Sequence, residues 1–247
     1  MVTNLAYFFE RAKKVHGDGR WVWVKDSNGE DRRNVLLGGD ILNPNKGLGH
    51  LWAGQLMEYK PGVGVYIFRS FLVKANVSAS TTIYIVADGY SNVPEVGQLL
   101  MKAPDSIMVD TYATTVSGTE TITASTSKST AEYTGQSCKI TAVEYDAENE
   151  RFEVTVDQAM TLSANDILVE AEGTSKSASA KVLVKNPNIF NEANRELLPT
   201  DGSYGFTNGK YAVSGVYDKQ IWIQRTQPLP KYVLAKNRSY IDGIFWL

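Results

Sequence analysis

The chain has very few of the residues from which most protein chemistry is built. One cysteine, Cys138, and two histidines, His16 and His50, stand among 247 residues. A lone cysteine excludes an intrachain disulfide and any site of several thiolates, so stability has to come from packing and strand pairing. Cys138 lies in the alternating run SCKITAV and reads as a small buried hydrophobe. Both histidines fall in Gly-rich polar stretches, with no carboxylate or cysteine at ligand spacing. A metal triad or a Ser-His-Asp set would have to grow from one of them, and a surface or loop-packing role is the expectation for both.

Other absences narrow the field further. No G-x-x-x-x-G-K-[ST], G-x-G-x-x-G or G-x-S-x-G phrase occurs, and Gly62-Val63-Gly64 after Pro61 is turn chemistry. No apolar run approaches the roughly 20 residues that span a bilayer. The opening MVTNLAYFFERAKKVHGDG lacks a basic n-region and an A-x-A site, so it does not read as a secretory signal and points to synthesis in a cytoplasm. Basic and acidic residues nearly balance, 25 against 27. That argues against coating a nucleic acid, which requires a concentrated basic surface. The doublet Arg32-Arg33 is partly cancelled by Glu30 and Asp31.

Present in quantity are strand signals. Hydrophobic residues make up 43% and aromatics 11%, which describes a globular chain long enough for one large β-domain or two small ones. The centre is Val65–Ala103. It holds β-branched and aromatic runs at Val65–Val73 and Thr81–Ala87, a polar loop at Ala75–Ser80, and a short run at Gly97–Met101. Ile140–Tyr145 and Phe152–Val156 alternate around the turn DAENER and predict a hairpin. Ile167–Ala171 and Lys181–Val184 follow as strands separated by a Ser/Ala-rich loop at 173–180. Trp21–Lys25 and Arg32–Leu37 predict a second hairpin across Asn28-Gly29. Residues 1–15 read as a short helix or a docking arm, and Phe190–Leu198 as a short helix ended by Pro199. Tyr211–Val216 and Gln220–Gln224 look like strands, and Pro228 and Pro230 suggest an extended edge after them.

Two further features stand out. GGDIL (38–42), AGQLM (53–57), VGQLL (96–100) and ANDIL (164–168) each set a small or turn residue before Asp or Gln and then an apolar pair. Each reads as a tight turn delivering the chain into a strand, its polar residue satisfying turn amides. Between 111 and 137, 14 of 27 residues are Ser or Thr, which predicts either an exposed hairpin leaving the core or a flexible insertion. The fold class is mainly β, an antiparallel β-sandwich or β-barrel meander with one or two short helices and extended termini. The segments are 1–37, 38–184 with a Ser/Thr-rich insertion at 105–137, and 185–247.

Candidate chemistry is thin. Glu144 with Glu153, Glu170 with Glu172, and Asp146, Glu148 and Glu150 sit in turns or alternate with apolar residues, so they read as the wet face of a hairpin and not as a glycosidase pair. Asp26-x-Asn28-Gly29-Glu30 lacks the distal bidentate Glu of a calcium loop. Trp21, Trp23, Trp52, Trp222 and Trp246 are core residues, interface anchors or a sugar-stacking platform. No catalytic residue, metal ligand or cofactor is expected.

The span from AGQLMEYKPGVGVYIFRSFLVKA to ILVEAEG resembles capsid accessory proteins of tailed bacteriophages, of the head-decoration, auxiliary-capsid or head-fibre kind, and most those of crAss-like phages. The resemblance rests on Ala53–Met57, on PEVG at Pro94–Gly97, and on DILVEA at Asp166–Ala171, and covers about half the chain. It implies a non-enzymatic virion protein bound to the outside of the major capsid shell, with other virion proteins or further copies of itself as partners and no nucleic acid or membrane. Tyr7, Phe8, Phe9, Phe245 and Trp246 would then be apolar interface anchors, and segment 111–137 would project outward or reach an adjacent copy. A portal, collar or tail component and a carbohydrate-binding β-sandwich remain the alternatives.

Overall fold

A computed structural model describes residues 34–37, 41–44, 49–52, 54–60, 62–88, 91–105, 108–112, 116–117, 120–121, 126–132, 134–191, 195–197, 214–217, 220–221, 227–234 and 245–246. Expectations for residues 1–33, including Tyr7, Phe8, Phe9, Trp21 and Trp23, lie outside them, as does Trp222. The strands of the first half are β1 (Asn34–Leu37), β2 (Gly49–Leu51), β3 (Leu56–Lys60), β4 (Gly64–Ile67), β5 (Ser70–Leu72), β6 (Val77–Val86) and β7 (Leu99–Lys102). An inserted ribbon follows, of β8 (Met108–Tyr112), β9 (Val116–Ser117), β10 (Glu120–Thr121) and β11 (Thr126–Glu132). Then come β12 (Ser137–Asp146), β13 (Arg151–Leu162), β14 (Ile167–Glu172), β15 (Lys181–Val182), β16 (Ile189–Asn191), β17 (Arg195–Leu197), β18 (Ser214–Tyr217), β19 (Gln220–Ile221) and β20 (Phe245–Trp246). One helical turn, α1, occupies residues 231–234.

The fold is mainly β with antiparallel sheets, as the alternating runs predict. The largest sheet runs β15-β14-β7-β12-β13-β6, with β5 paired to β14. Beyond β5, Val73 bridges Ile85 of β6, and the Lys74 N–H donates to the Tyr84 carbonyl at 2.8 Å. These bonds close β5, β6, β13, β12, β7 and β14 into a ring, with β15 lying off it. Closure needs bent strands, and bulges supply the bend. Register shifts occur between Ile140 and Ala142 on β12 and between Thr155 and Leu162 on β13. Inside the ring Phe71, Ile83, Ile85, Leu100, Cys138, Ile140, Phe152, Val154 and Leu168 are buried in one cluster. Each large aliphatic or aromatic side chain so buried contributes about 1.5–3 kcal/mol. The hairpin expected around DAENER is the β12–β13 pair, extended at both ends.

A five-stranded sheet, β1-β18-β16-β3-β4, draws its strands from both ends of the chain. Leu56 and Phe190 from this sheet share a buried cluster with Met101, Val169 and Ala171, so it lies over the β7–β14 wall of the ring as the second layer of a sandwich. Several expectations change here. Val65–Val73 is not one strand. It breaks after Ile67, and Phe68-Arg69 carry the chain from the five-stranded sheet into the ring. The polar loop expected at 75–80 is shorter, because β6 already begins at Val77. The helix expected at Phe190–Leu198 is two strands, β16 and β17: Ile189 and Phe190 are buried against β3, and tertiary pairing overrides a weak helical pattern. The edge expected at Pro228–Pro230 leads into α1, where the Pro230 carbonyl accepts from Val233 and Leu234. Proline's fixed φ suits the start of a helical turn. Burial of Tyr232 and Val233 holds the turn in place, the tyrosine hydroxyl donating to the Val184 carbonyl at 2.9 Å. Arg32–Leu37 yields β1, and its partner is β18.

The recurrent phrase is one turn, repeated. Gln55, Gln98 and Asp166 each donate a backbone N–H to the carbonyl three residues back, at 3.2, 3.1 and 3.0 Å. Each side-chain oxygen accepts the N–H of that same residue, from Trp52 at 3.4 Å, Glu95 at 3.0 Å and Ser163 at 2.8 Å. The preceding residue has positive φ in every case: Gly54 at 79°, Gly97 at 94° and Asn165 at 70°. Such backbone suits Gly and Asn, and β3, β7 and β14 start directly after it. In the fourth phrase, residues 38–40 lie outside the described residues.

Asn165 allows this turn to be tested. Asn165→Gly should change stability by less than about 0.5 kcal/mol, whereas Asn165→Val, forced left-handed, should cost about 1–2 kcal/mol in urea unfolding. Equal effects of the two substitutions would contradict the turn.

Candidate functional site

Where a chain changes sheets, its backbone loses ladder partners, and those groups must be satisfied otherwise. At Phe68–Ser70 buried side-chain amides do this. The Phe68 carbonyl accepts from Gln227 Nε2 at 2.7 Å and from Gln55 Nε2 at 3.4 Å. The Ser70 carbonyl accepts from Asn92 Nδ2 at 3.1 Å, and the Ser70 hydroxyl donates to the Pro228 carbonyl. Asn43 brackets Ile67, donating to its carbonyl at 2.9 Å and accepting its N–H at 2.7 Å. Gln55 Nε2 also donates to Asn92 Oδ1 at 2.8 Å, joining the set into one network.

Arg69 stands in the middle of this network. Its Nε and Nη2 donate to the two oxygens of Glu170 at 2.9 and 2.8 Å, a bidentate pair, and Nη1 donates to Glu95 at 3.2 Å. Arg69 and Glu170 are 5% and 4% exposed, so this is a desolvated ion pair. Burial alone would depress the Arg69 pKa; Glu170 and Glu95 outweigh it and hold the guanidinium above its ordinary value. Asn43 Nδ2 donates to Glu170 as well, at 3.0 Å. Glu170, expected on a wet face beside Glu172, is therefore a core residue. Alternation along β14 misleads because this strand is covered on both sides, its burial running without a break from Leu168 to Ala171. Arg69 was available in the sequence as a single charge inside the apolar run VYIFRSFLV. Its partners lie 26 and 101 residues away and carry no local signal.

A second polar set clamps the root of the inserted ribbon. The ribbon leaves after β7 and returns at β12, and Met101 and Ser137 face each other directly in the sheet. Gly135 and Ala180 exchange two backbone bonds, and Ser137 bonds Ser177 and Lys176 through its backbone. The Ser137 hydroxyl donates to the Thr174 carbonyl at 2.8 Å. Asp157 ties this loop to the ring, accepting the Lys139 N–H at 2.8 Å and the Ser175 hydroxyl. Partial desolvation pushes the Asp157 pKa up, but these two donors and the charge of Lys176 prevail and hold it below the ordinary aspartate value. In the ribbon, β8 and β11 hydrogen-bond each other, β9 pairs with β10, and neither pair joins another strand among the described residues. The hairpin reading of segment 111–137 agrees with this.

The remaining candidates fall on several elements. Phe245 and Trp246 form β20, which pairs in parallel with β19. His50, expected in a loop, lies in β2 opposite Glu196 of β17, because pairing with β17 draws this stretch into a strand. Trp52 is buried in the ring cluster and so is withdrawn from any sugar-stacking platform. Glu144 and Glu153 sit opposite each other on the open face of the ring, and Arg151 lies over the Tyr84 ring at 4.1 Å while bonding Asp146. Cys138 is fully buried, its thiol pushed up to about 12 by desolvation and then by Asp157. Among the described residues no group of three His, Cys, Asp or Glu is placed to hold a metal ion.

The chain matches no family model, no curated protein and no solved structure.

Two measurements test these networks. Arg69→Met or Glu170→Met alone leaves a buried charge unpaired and should cost about 3–5 kcal/mol, while the double variant should recover most of that loss in a double-mutant cycle. Additive single effects would refute the coupling. For Asp157, a lowered native pKa means stability that is fully present above the unfolded-state value of about 3.9 and lost as pH falls from there through the lower native value. Thermal midpoints below about pH 4 should therefore fall more steeply for the wild type than for Asp157→Asn.

Proposed function

We propose that the chain is a non-enzymatic structural protein of a tailed-phage particle, bound to the outside of the capsid shell as an auxiliary or decoration protein. The observation that carries this reading is the ribbon: a polar two-stranded arm rooted between directly paired strands of a closed sheet. Such an arm offers main-chain edges and rigid placement, which suit holding a neighbouring protein. The buried charges support the same reading, because Arg69, Glu170 and Glu95 are engaged with one another at the sheet junction. The resemblance of AGQLM, PEVG and DILVEA to phage accessory proteins supplies the particle, the major capsid protein as partner, and the virion as location. Phe245 and Trp246, in the terminal strand β20, are the anchors proposed within the described residues, beside Tyr7, Phe8 and Phe9 outside them.

Quantitative mass spectrometry of purified particles, scaled to the major capsid protein, tests this. A copy number comparable with the capsomers is expected; a ring-sized number would move the protein to the portal or tail, and its absence from particles would overturn the reading. Replacing residues 108–132 by a short Gly-Ser turn should leave a folded protein and weaken particle binding by about tenfold or more, roughly 1.4 kcal/mol.

A further inference from the structure

The returning end of the ribbon and the loop after β14 hold each other without an apolar core. Gly135 and Ser137 each commit both backbone groups to the segment 176–180. Gly135 exchanges two bonds with Ala180, while Ser137 donates to the Ser177 carbonyl at 2.9 Å and accepts the Lys176 N–H at 3.1 Å. The Ser137 hydroxyl donates to the Thr174 carbonyl and accepts the Ser177 N–H at 3.3 Å. No residue from 173 to 179 is buried, and none from 134 to 136. Lys176 sits at φ 59°, a left-handed backbone that costs energy for a lysine. A unit built from partly exposed hydrogen bonds with little apolar burial belongs to the low-stability end of a fold and opens before the core does. Its side-chain tie to β13 is the Ser175 hydroxyl, which donates to Asp157.

We propose that loop 173–179 is a latch on the root of the ribbon: it opens and closes as one unit with residues 135–137 while the ring stays closed, and the bond between Asp157 and Ser175 holds it shut. Asp157 is anchored independently of the loop, because it also accepts the Lys139 N–H at 2.8 Å. Strands β12 and β13 pair from Ile140 and Val156 to Asp146 and Arg151 without help from the loop. Ser175 adjoins Lys176, so releasing it loosens Lys176 and Ser177 together, and with them the main-chain grip on Ser137. Ser137 then keeps its place opposite Met101 of β7, and Gly135 parts from Ala180. The use of this latch rests on the reading of the ribbon as a docking arm: closed, it fixes the root of the arm, and open, it lets the arm reorient toward a neighbouring protein. Its opening is measured on the free chain, so its test and that of particle binding fail independently.

The test is amide hydrogen exchange on the full chain, wild type against Ser175→Ala, which removes the hydroxyl and leaves Asp157 bonded to Lys139. Losing a hydrogen bond to a charged group should speed exchange by about tenfold or more at Gly135, Ser137, Lys176 and Ser177 together. The amides of β6 and β13 should keep their wild-type rates, and so should that of Lys139. Asp157→Ala should speed the same four amides and Lys139 as well, and adding Ser175→Ala to it should bring no further rise at the four. Unchanged rates, a rise confined to residues 174–178, an equal rise across β6 and β13, or additive effects of the two substitutions would each overturn the proposal.

Discussion

The buried pair of Arg69 and Glu170 is the constraint on which the two layers depend. Moving a guanidinium and a carboxylate out of water costs several kcal/mol each, and only good geometry with further hydrogen bonds repays it. Here the geometry is bidentate, Glu95 takes another guanidinium nitrogen, and Asn43 adds a donor to Glu170. These partners come from four separate stretches of chain. The pair is satisfied only when the segment before β2, the β4–β5 crossing, the turn before β7 and strand β14 are all in place. An ion pair of this kind adds little net stability but makes wrong arrangements costly, since each leaves a charge buried alone. It explains how a chain that crosses between sheets in two residues does so at one defined point.

The same logic of local satisfaction recurs at the starts of β3, β7 and β14. In each, a left-handed Gly or Asn reverses the chain, and the next Gln or Asp returns its side chain to the N–H that would otherwise be stranded. Two of these strands, β7 and β14, are neighbours in the ring, and the third lies in the sheet above them. The turns therefore set where strands begin, the bulges on β12 and β13 set how the sheet curves, and the side chains of the ring fill what is enclosed. The ribbon leaves this framework at a point where Met101 and Ser137 are already paired, so its root is held by the ring itself.

How much of this could be read from the sequence depended on whether the signal was local. The β12–β13 hairpin, strand β14 and the repeated turn were legible because alternation, Gly or Asn, and the turn-closing Gln or Asp lie within a few residues of one another. Phe190–Leu198 was misread since its apolar residues fit a helix as well as a strand, and only pairing of Ile189 and Phe190 with Met57 and Leu56 decides between them. Glu170 was misread for the opposite reason. Its alternation with apolar neighbours was real, but the layer above β14 makes both of its faces interior. Charge inside an apolar run, as at Arg69, was the one available hint of a buried network. The identity of its partners is a property of the fold and not of the neighbouring sequence.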